Sequence, residues 1–388
     1  MKQSTLRMSA AVLLGLLLGT ASNAQDANKI NVVTSAVPFL RISPDARAGG
    51  MGDVGIATSP DANASFWNLA KTPFAQSRTS IAATYTPWLK DLGLNDVYLA
   101  SLAGYYKLDE EQAVSSSIRY FSLGNIQFTD FAGNDLQSFR PREFSIDLGY
   151  SRKLGERLGL GVALRYINSN LAGGQAVNGV SYKAGNAVSG DISLFHTGVN
   201  EQGAGWNWGI VLSNLGSKIS YTSDATQKDY IPANLGLGAA YTWSFDDDNK
   251  LTVGADVNKL LVPTPPALGD SAGLARYRNK SVISSWFGSF SDAGSFGEEL
   301  REFQISGGAE YTYNQQFMMR AGYFYEDRTK GNRKYFTLGA GLKYNVFGLN
   351  FSYLIPTGQG VNRNPLSNTL RFSLVFDLDN NTNGSASR

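Results

Sequence analysis

The chain has 388 residues, 34 Lys and Arg against 32 Asp and Glu, a single His and no Cys. That near-neutral balance points away from nucleic acid, and the missing cysteines rule out a disulfide framework and thiolate metal sites. Only 17% of residues are charged, while 42 Gly, 19 Tyr and 21 Phe suit an extensive antiparallel sheet with aromatic surfaces.

Residues 1–24 read MKQSTLRMSAAVLLGLLLGTASNA: two cations, a short apolar run, then small residues at a cleavage site. This is the pattern of a secretory signal peptide, so an exported mature chain is expected. Removing Lys2 and Arg7 leaves 32 cations against 32 acids. No later window offers the roughly 18 apolar residues of a spanning helix.

Residues 25–78 alternate poorly and are rich in Gly, Ala and Asn. Within them, GGMGDVG (49–55) contains a literal G-x-G-x-x-G. A dinucleotide fingerprint lies between a buried strand and a helix. Here LRISPDARA precedes it and IATSPDANAS follows, so both flanks carry proline, and no acidic residue falls between Asp61 and Asp91. The glycines therefore read as positions for close packing and tight turning. No cofactor is expected.

From residue 79 to 377 the chain resolves into fourteen segments with apolar side chains at every second position: 79–88, 96–107, 113–123, 142–154, 158–168, 187–197, 205–215, 233–245, 250–259, 301–313, 316–327, 335–344, 347–355 and 368–377. In 144–150, for example, Phe144, Ile146, Leu148 and Tyr150 share one face. The other face carries Arg119, Asp147, Arg165, Asp191, Asp256, Glu302, Glu310, Arg320, Lys343 and Arg371. Connections alternate between short (108–112, 155–157, 246–249, 314–315, 345–346, with 198–204 somewhat longer) and mostly long (124–141, 169–186, 216–232, 260–300, 356–367). Short turns on one rim and long loops on the other are the pattern of an outer-membrane barrel.

An apolar face in lipid obliges every backbone polar group to pair within the wall, so the sheet must close. The expected fold is all-β: a closed antiparallel transmembrane barrel of about 14 strands. Its lumenal charges are expected to pair across the lumen. Tyr85, Trp88, Tyr105, Tyr120, Tyr150, Trp243, Tyr313, Tyr325 and Tyr353 stand near strand ends, where interfacial girdles form. Residues 25–78, starting on the periplasmic side, are expected to fold into or under the lumen. Residues 378–388 read as a polar periplasmic tail.

The stretch VPFLRISPDARAGGMGDVGIATSPDANASFWNLA (37–70), followed by fourteen strands, resembles the FadL-like outer-membrane barrels. More narrowly it is similar to the PorV-like barrels of the type IX secretion system. The Arg47 to Asp53 run, including Gly50 and Gly52, matches the Gly-rich turn of that pattern, and Asp61-Ala62 its small acidic patch. Trp67-Asn68-Leu69-Ala70 matches the aromatic-Asn-Pro-Ala ending, with Leu69 where many relatives have proline.

The resemblance implies a non-enzymatic outer-membrane partner-binding barrel. It would receive secreted cargo through its C-terminal signal domain, associate with a large translocon barrel, and pass cargo to a surface attachment complex containing a sortase-like protein. Membrane lipid or lipopolysaccharide would surround it.

Cargo-binding residues are expected on the long loops. Trp286, Phe287 and Phe290 form an apolar cluster in 260–301, and Phe128, Phe131 and Phe139 another in 126–139. Either cluster serves as a docking anchor or as a lid packed on the rim. The alternative function is FadL-like transport of hydrophobic small molecules, which needs an apolar pocket such as loop aromatics could form at the top of the lumen. A third, a lipopolysaccharide deacylase, would rest on His196 beside Ser193, and the lone histidine near a strand end speaks against it. No catalytic or metal-ligating residue is expected.

Overall fold

The computed structural model describes residues 32–89, 93–129, 133–174, 176–177, 180–224, 227–266, 269–357 and 369–378. The signal segment 1–24, the tail beyond 378, Phe131 and the side chain of Phe128 lie outside them.

Fourteen strands form one closed barrel: β1 (Thr79–Pro87), β2 (Val97–Lys107), β3 (Gln112–Leu123), β4 (Arg142–Lys153), β5 (Leu158–Asn170), β6 (Gly185–Thr197), β7 (Gly205–Gly216), β8 (Asn234–Ser244), β9 (Asn249–Leu260), β10 (Phe303–Tyr313), β11 (Phe317–Tyr325), β12 (Lys334–Tyr344), β13 (Phe347–Pro356) and β14 (Leu370–Leu378). Each pairs antiparallel with its neighbour in the chain. The seam is β1 on β14, from Thr79 opposite Leu378 to Tyr85 opposite Phe372. Every strand expected from alternation is present. No helix among the described residues is long and apolar enough to cross a membrane; the crossing is by strands.

Alternation in sequence becomes alternation of faces. On β5, Val162, Leu164 and Tyr166 point outward, while Ala163, Arg165 and Ile167 are buried in the lumen. At the long-loop ends Tyr85, Tyr98 and Tyr120 form a ladder of rings 5.3 and 6.2 Å apart. At the short-turn ends Trp206, Tyr241 and Trp243 do the same at 4.9 and 4.6 Å. These are the two girdles of a membrane barrel. Trp88 and Tyr105 do not belong to them: Trp88 packs on Phe121 inside the lumen, and buried Tyr105 bonds the Ser77 carbonyl. Nearness to a strand end says nothing about which face a ring takes; only the phase of the strand does.

The segment before β1 lies inside the barrel. Its first described residues, however, lie at the long-loop end: the Ala36 amide donates to the Tyr230 carbonyl at 2.8 Å. Val37, Phe39, Leu40 and Ile42 then pack with Val97, Leu99, Phe121, Ile167 and Ile231. The chain descends through α1 (Ala46–Gly50) and α2 (Ala64–Trp67) to a 3-10 turn, Leu69–Phe74, and reaches β1 from below. The expected entry from the periplasmic side is thus corrected for the described residues.

One long loop carries further structure. Residues 261–302 form three short helices, α3 (Ser271–Asn279), α4 (Val282–Gly288) and α5 (Phe296–Arg301). Each starts at a side chain accepting a first-turn amide, Asp270, Ser281 and Ser295 respectively.

Candidate partner and ligand sites

The plug sits where it does because glycines on the wall leave room for it. A Cβ on Gly339 (β12) would meet Gly50 Cα at 2.9 Å; on Gly322 (β11) and Gly308 (β10) it would meet Met51 backbone at 2.1 and 2.2 Å. The track continues through Gly254 (β9) under Val54, Gly238 (β8) under Ile56 and Gly161 (β5) under Ala70. At Gly339, Gly322, Gly308 and Gly161 plug backbone thus lies directly on wall backbone, and at Gly254 and Gly238 a plug side chain fills the space. Gly52 is required twice over, since its φ is +70° and a Cβ there would reach the Tyr323 amide at 2.5 Å.

Polar groups complete the seat. Asp45 caps α1 through the Ala48 amide at 2.7 Å and accepts from Trp67 Nε1 at 2.6 Å, joining the two ends of the sequence motif. Arg47 forks onto Glu310 at 2.8 and 3.0 Å and reaches Asp61 at 3.0 Å and the Ser59 hydroxyl at 2.7 Å. This is the bidentate geometry in which arginine binds most strongly. Asp53, at φ +64°, accepts from Tyr335 at 2.6 Å and Arg371 at 3.1 Å. Asn68 donates to the Ile56 and Leu194 carbonyls at 3.2 and 2.9 Å and accepts from the Ala70 amide. Asp256 takes the amides of Gly55 and Ile56 at 2.7 and 2.9 Å. Arg47, Gly50, Gly52, Asp53, Trp67 and Asn68 are therefore all brought together in the plug.

The lumenal charges also pair with one another, Arg119 and Glu310 while touching the plug at Leu40 and Arg47. Arg119 and Arg165 share Asp147, and Arg165 also holds Asp191 at 2.8 Å, a zipper over four adjacent strands. Arg320 pairs with Glu310 at 2.6 Å and Lys343 with Asp377 at 2.6 Å. Glu302 is not on a strand; it ends α5 and takes Lys259 at 2.7 Å and Lys330 at 3.1 Å at the rim.

Space remains on both sides of the plug. Toward the short turns, Arg47, Asp61, Lys250, Glu310, Lys343 and Asp377 line a polar cavity of about 440 Å³. Toward the long loops, Phe39, Phe66, Trp88, Phe121, Phe324 and Tyr335 line one of about 270 Å³ with Arg41 and Arg333. A cavity lined largely by aromatic rings thus lies at the top of the lumen, with Asp53, Asn258 and Gln304 also on its wall. Loop phenols there are poor acids: burial pushes Tyr221 and Tyr230 up to about 12.

The two aromatic loop clusters fare differently. Phe287 is 76% exposed, whereas Trp286 is half-buried and the Phe290 ring lies 5.6 Å from buried Lys259. The loop exposes more apolar surface than these clusters: Ile283 and Phe287 at i,i+4 on α4, and Phe296 (78% exposed) and Leu300 at i,i+4 on α5. Its base is pinned by Lys259 to Glu299 and Glu302 and by Thr264 to Asp292. In the other cluster Phe139 is half-buried and lies against Gly173 of the next loop.

His196 and Ser193 stand on opposite faces of β6. Ser193 is buried in the lumen, accepting from the Ala70 amide, while the imidazole stacks on Trp208 in the outer girdle at 5.3 Å. They cannot act on one substrate. Among the described residues no three His, Asp or Glu are grouped to hold a metal.

Comparison with known proteins places this architecture. The toluene transporter TbuX of Ralstonia pickettii superposes with a TM-score of 0.50 at 11% identity, over 86% of this chain and 97% of that one. The toluene transporter TodX of P. putida gives 0.50 at 13% identity, over 86% and 98%. A Pseudomonas aeruginosa FadL homologue gives 0.47 at 12% identity, over 87% and 98%. At such identities the first two speak for the fold alone. No curated protein matches the sequence. The model of the family described as type IX secretion system protein PorV matches residues 23–267. The chain belongs to that family: it is a PorV-family outer-membrane barrel and a component of type IX secretion.

Proposed function

We propose that the protein is a non-enzymatic cargo carrier of the outer membrane. It receives the C-terminal signal domain of a secreted protein beside the large translocon barrel and delivers it to the sortase-like protein of the surface attachment complex. The observation that supports this reading most is the set of exposed apolar side chains on α4 and α5, in a loop pinned at the long-loop rim above the plug. Exposed apolar clusters on a pinned scaffold are the form that interface hot spots take. The seated plug also argues that cargo is held at the rim and does not pass through this barrel.

The test is binding of a purified C-terminal signal domain to the full chain in lipid nanodiscs. Phe287→Ser with Phe296→Ser is expected to weaken it tenfold or more, about 1.4 kcal/mol, while thermal unfolding stays unchanged. Undiminished binding by the double variant sinks the assignment of those side chains.

A second reading, transport of hydrophobic small molecules, is favoured by the aromatic cavity between Phe39, Trp88 and Phe324. It predicts that an apolar probe such as toluene binds the chain and that Phe324→Trp, by filling the cavity, abolishes this.

A further inference from the structure

The long-loop end holds another cavity, about 460 Å³, on the side of the plug away from Arg333. Its volume is in the range of small-molecule sites. Phe121, Leu123, Pro265, Tyr221, Tyr230 and Tyr277 are among the residues that line it. So does Glu143 of β4, which is 2% exposed.

Glu143 differs from every other buried acid. Nine carboxylates are buried among the described residues: Asp45, Glu143, Asp147, Asp191, Asp256, Glu299, Glu302, Glu310 and Glu326. The eight others each accept from at least two donors, as Asp45 does from Ala48 and Trp67 and Glu326 from Arg333 and Gln304. Glu143 has one, the Ser169 hydroxyl on Oε1 at 2.6 Å, itself receiving the Tyr221 phenol at 3.0 Å. Among the described residues no cation pairs with it, and Oε2 is left without a donor. A carboxylate withdrawn from water with so few partners is costly to keep. Every other buried acid has at least two donors, Asp256 taking both on Oδ2 and leaving Oδ1 bare; Glu143 alone has a single one and lines a cavity.

We propose that this cavity binds a small primary amine with an aromatic or apolar body. The ammonium group donates to the free oxygen of Glu143 and the body packs between Phe121 and the tyrosines, whose faces favour a cation. Two other charges line the cavity, exposed Asp229 and half-exposed Arg278; being opposite in sign, they leave Glu143 to set the preference. The inference does not depend on the cargo-carrier reading, and it differs from the hydrocarbon reading in demanding a positive charge.

The full chain in nanodiscs should be titrated calorimetrically with 2-phenylethylamine, phenylacetate and 2-phenylethanol, which share one body. The amine is expected to bind at least tenfold tighter than the other two, and Glu143→Gln to remove that advantage. Because Glu143 is buried and its variant could misfold, Leu274→Trp, on the exposed helix bordering the cavity, is the second variant and is expected to block the amine. Equal binding of all three probes, preference for the acid, no amine binding, or amine binding indifferent to both variants overturns the proposal.

Discussion

The plug and the helical loop are insertions of similar length, and both mix glycine with aromatic residues, yet they face opposite ways. In the plug nearly every side chain from Val37 to Ala75 is covered, its amides go to wall side chains such as Asp256, Thr337 and Ser373, and wall glycines let the backbones touch. In the loop the polar side chains turn inward to Lys259 and Lys330, and Ile283, Phe287, Phe296 and Leu300 turn outward. Small residues mark where this chain meets itself. Large apolar ones at the rim mark where it has left a surface to be met.

That contrast can be broken most severely from the wall. Gly322→Val would drive a side chain into the Met51 and Gly52 backbone, neither of which can step aside. The expected cost is at or beyond the ~3 kcal/mol end of overpacking, read as a lower unfolding temperature together with new conductance in planar bilayers. A variant that folds with unchanged stability and no conductance would show that the glycine track is not what seats the plug.

Next in size is Asp256→Ala. It strands two buried amides, Gly55 and Ile56, at roughly 1–3 kcal/mol each, and should expose 55–61 to protease. Asp256→Asn keeps an acceptor oxygen and is expected to lose much less. The loop side responds in the opposite manner: Phe296→Ser should move stability by no more than about 0.5 kcal/mol, its effect confined to partner binding. His196→Ala removes only a stacking contact and is expected to move stability no further than Phe296→Ser does. No activity on acyl chains should depend on it, and loss of such an activity would revive the hydrolase reading.

What could be read from the sequence follows the same division. The wall was legible because lipid on one side imposes a strict period of two, visible in stretches such as Leu158 to Tyr166. The plug's place in the lumen was legible from its glycines and the closed wall, but its contacts were not, since they are remote: Arg47 and Glu310 lie 263 residues apart. Its direction of travel was not, because the Ala36 to Tyr230 bond leaves no local pattern. The helical loop escaped for another reason. Its helices each span fewer than three turns, too short for an apolar period to stand out, so Phe287 was found by composition while Ile283, Phe296 and Leu300 were missed. Glu143 was overlooked because its neighbour Arg142 and the arginine-rich turn before it hide an unpaired acid in plain sequence.

One hydroxyl ties two assembly steps together. Ser373 on β14 bonds Thr84 of β1 across the seam at 2.7 Å and accepts the Ala46 amide of the plug at 2.9 Å. The last ladder to form in a closing barrel is therefore stapled at a residue that also holds what the barrel encloses. Closure and filling favour each other reciprocally, so the segment ahead of the first strand serves as a template on which the cylinder is completed.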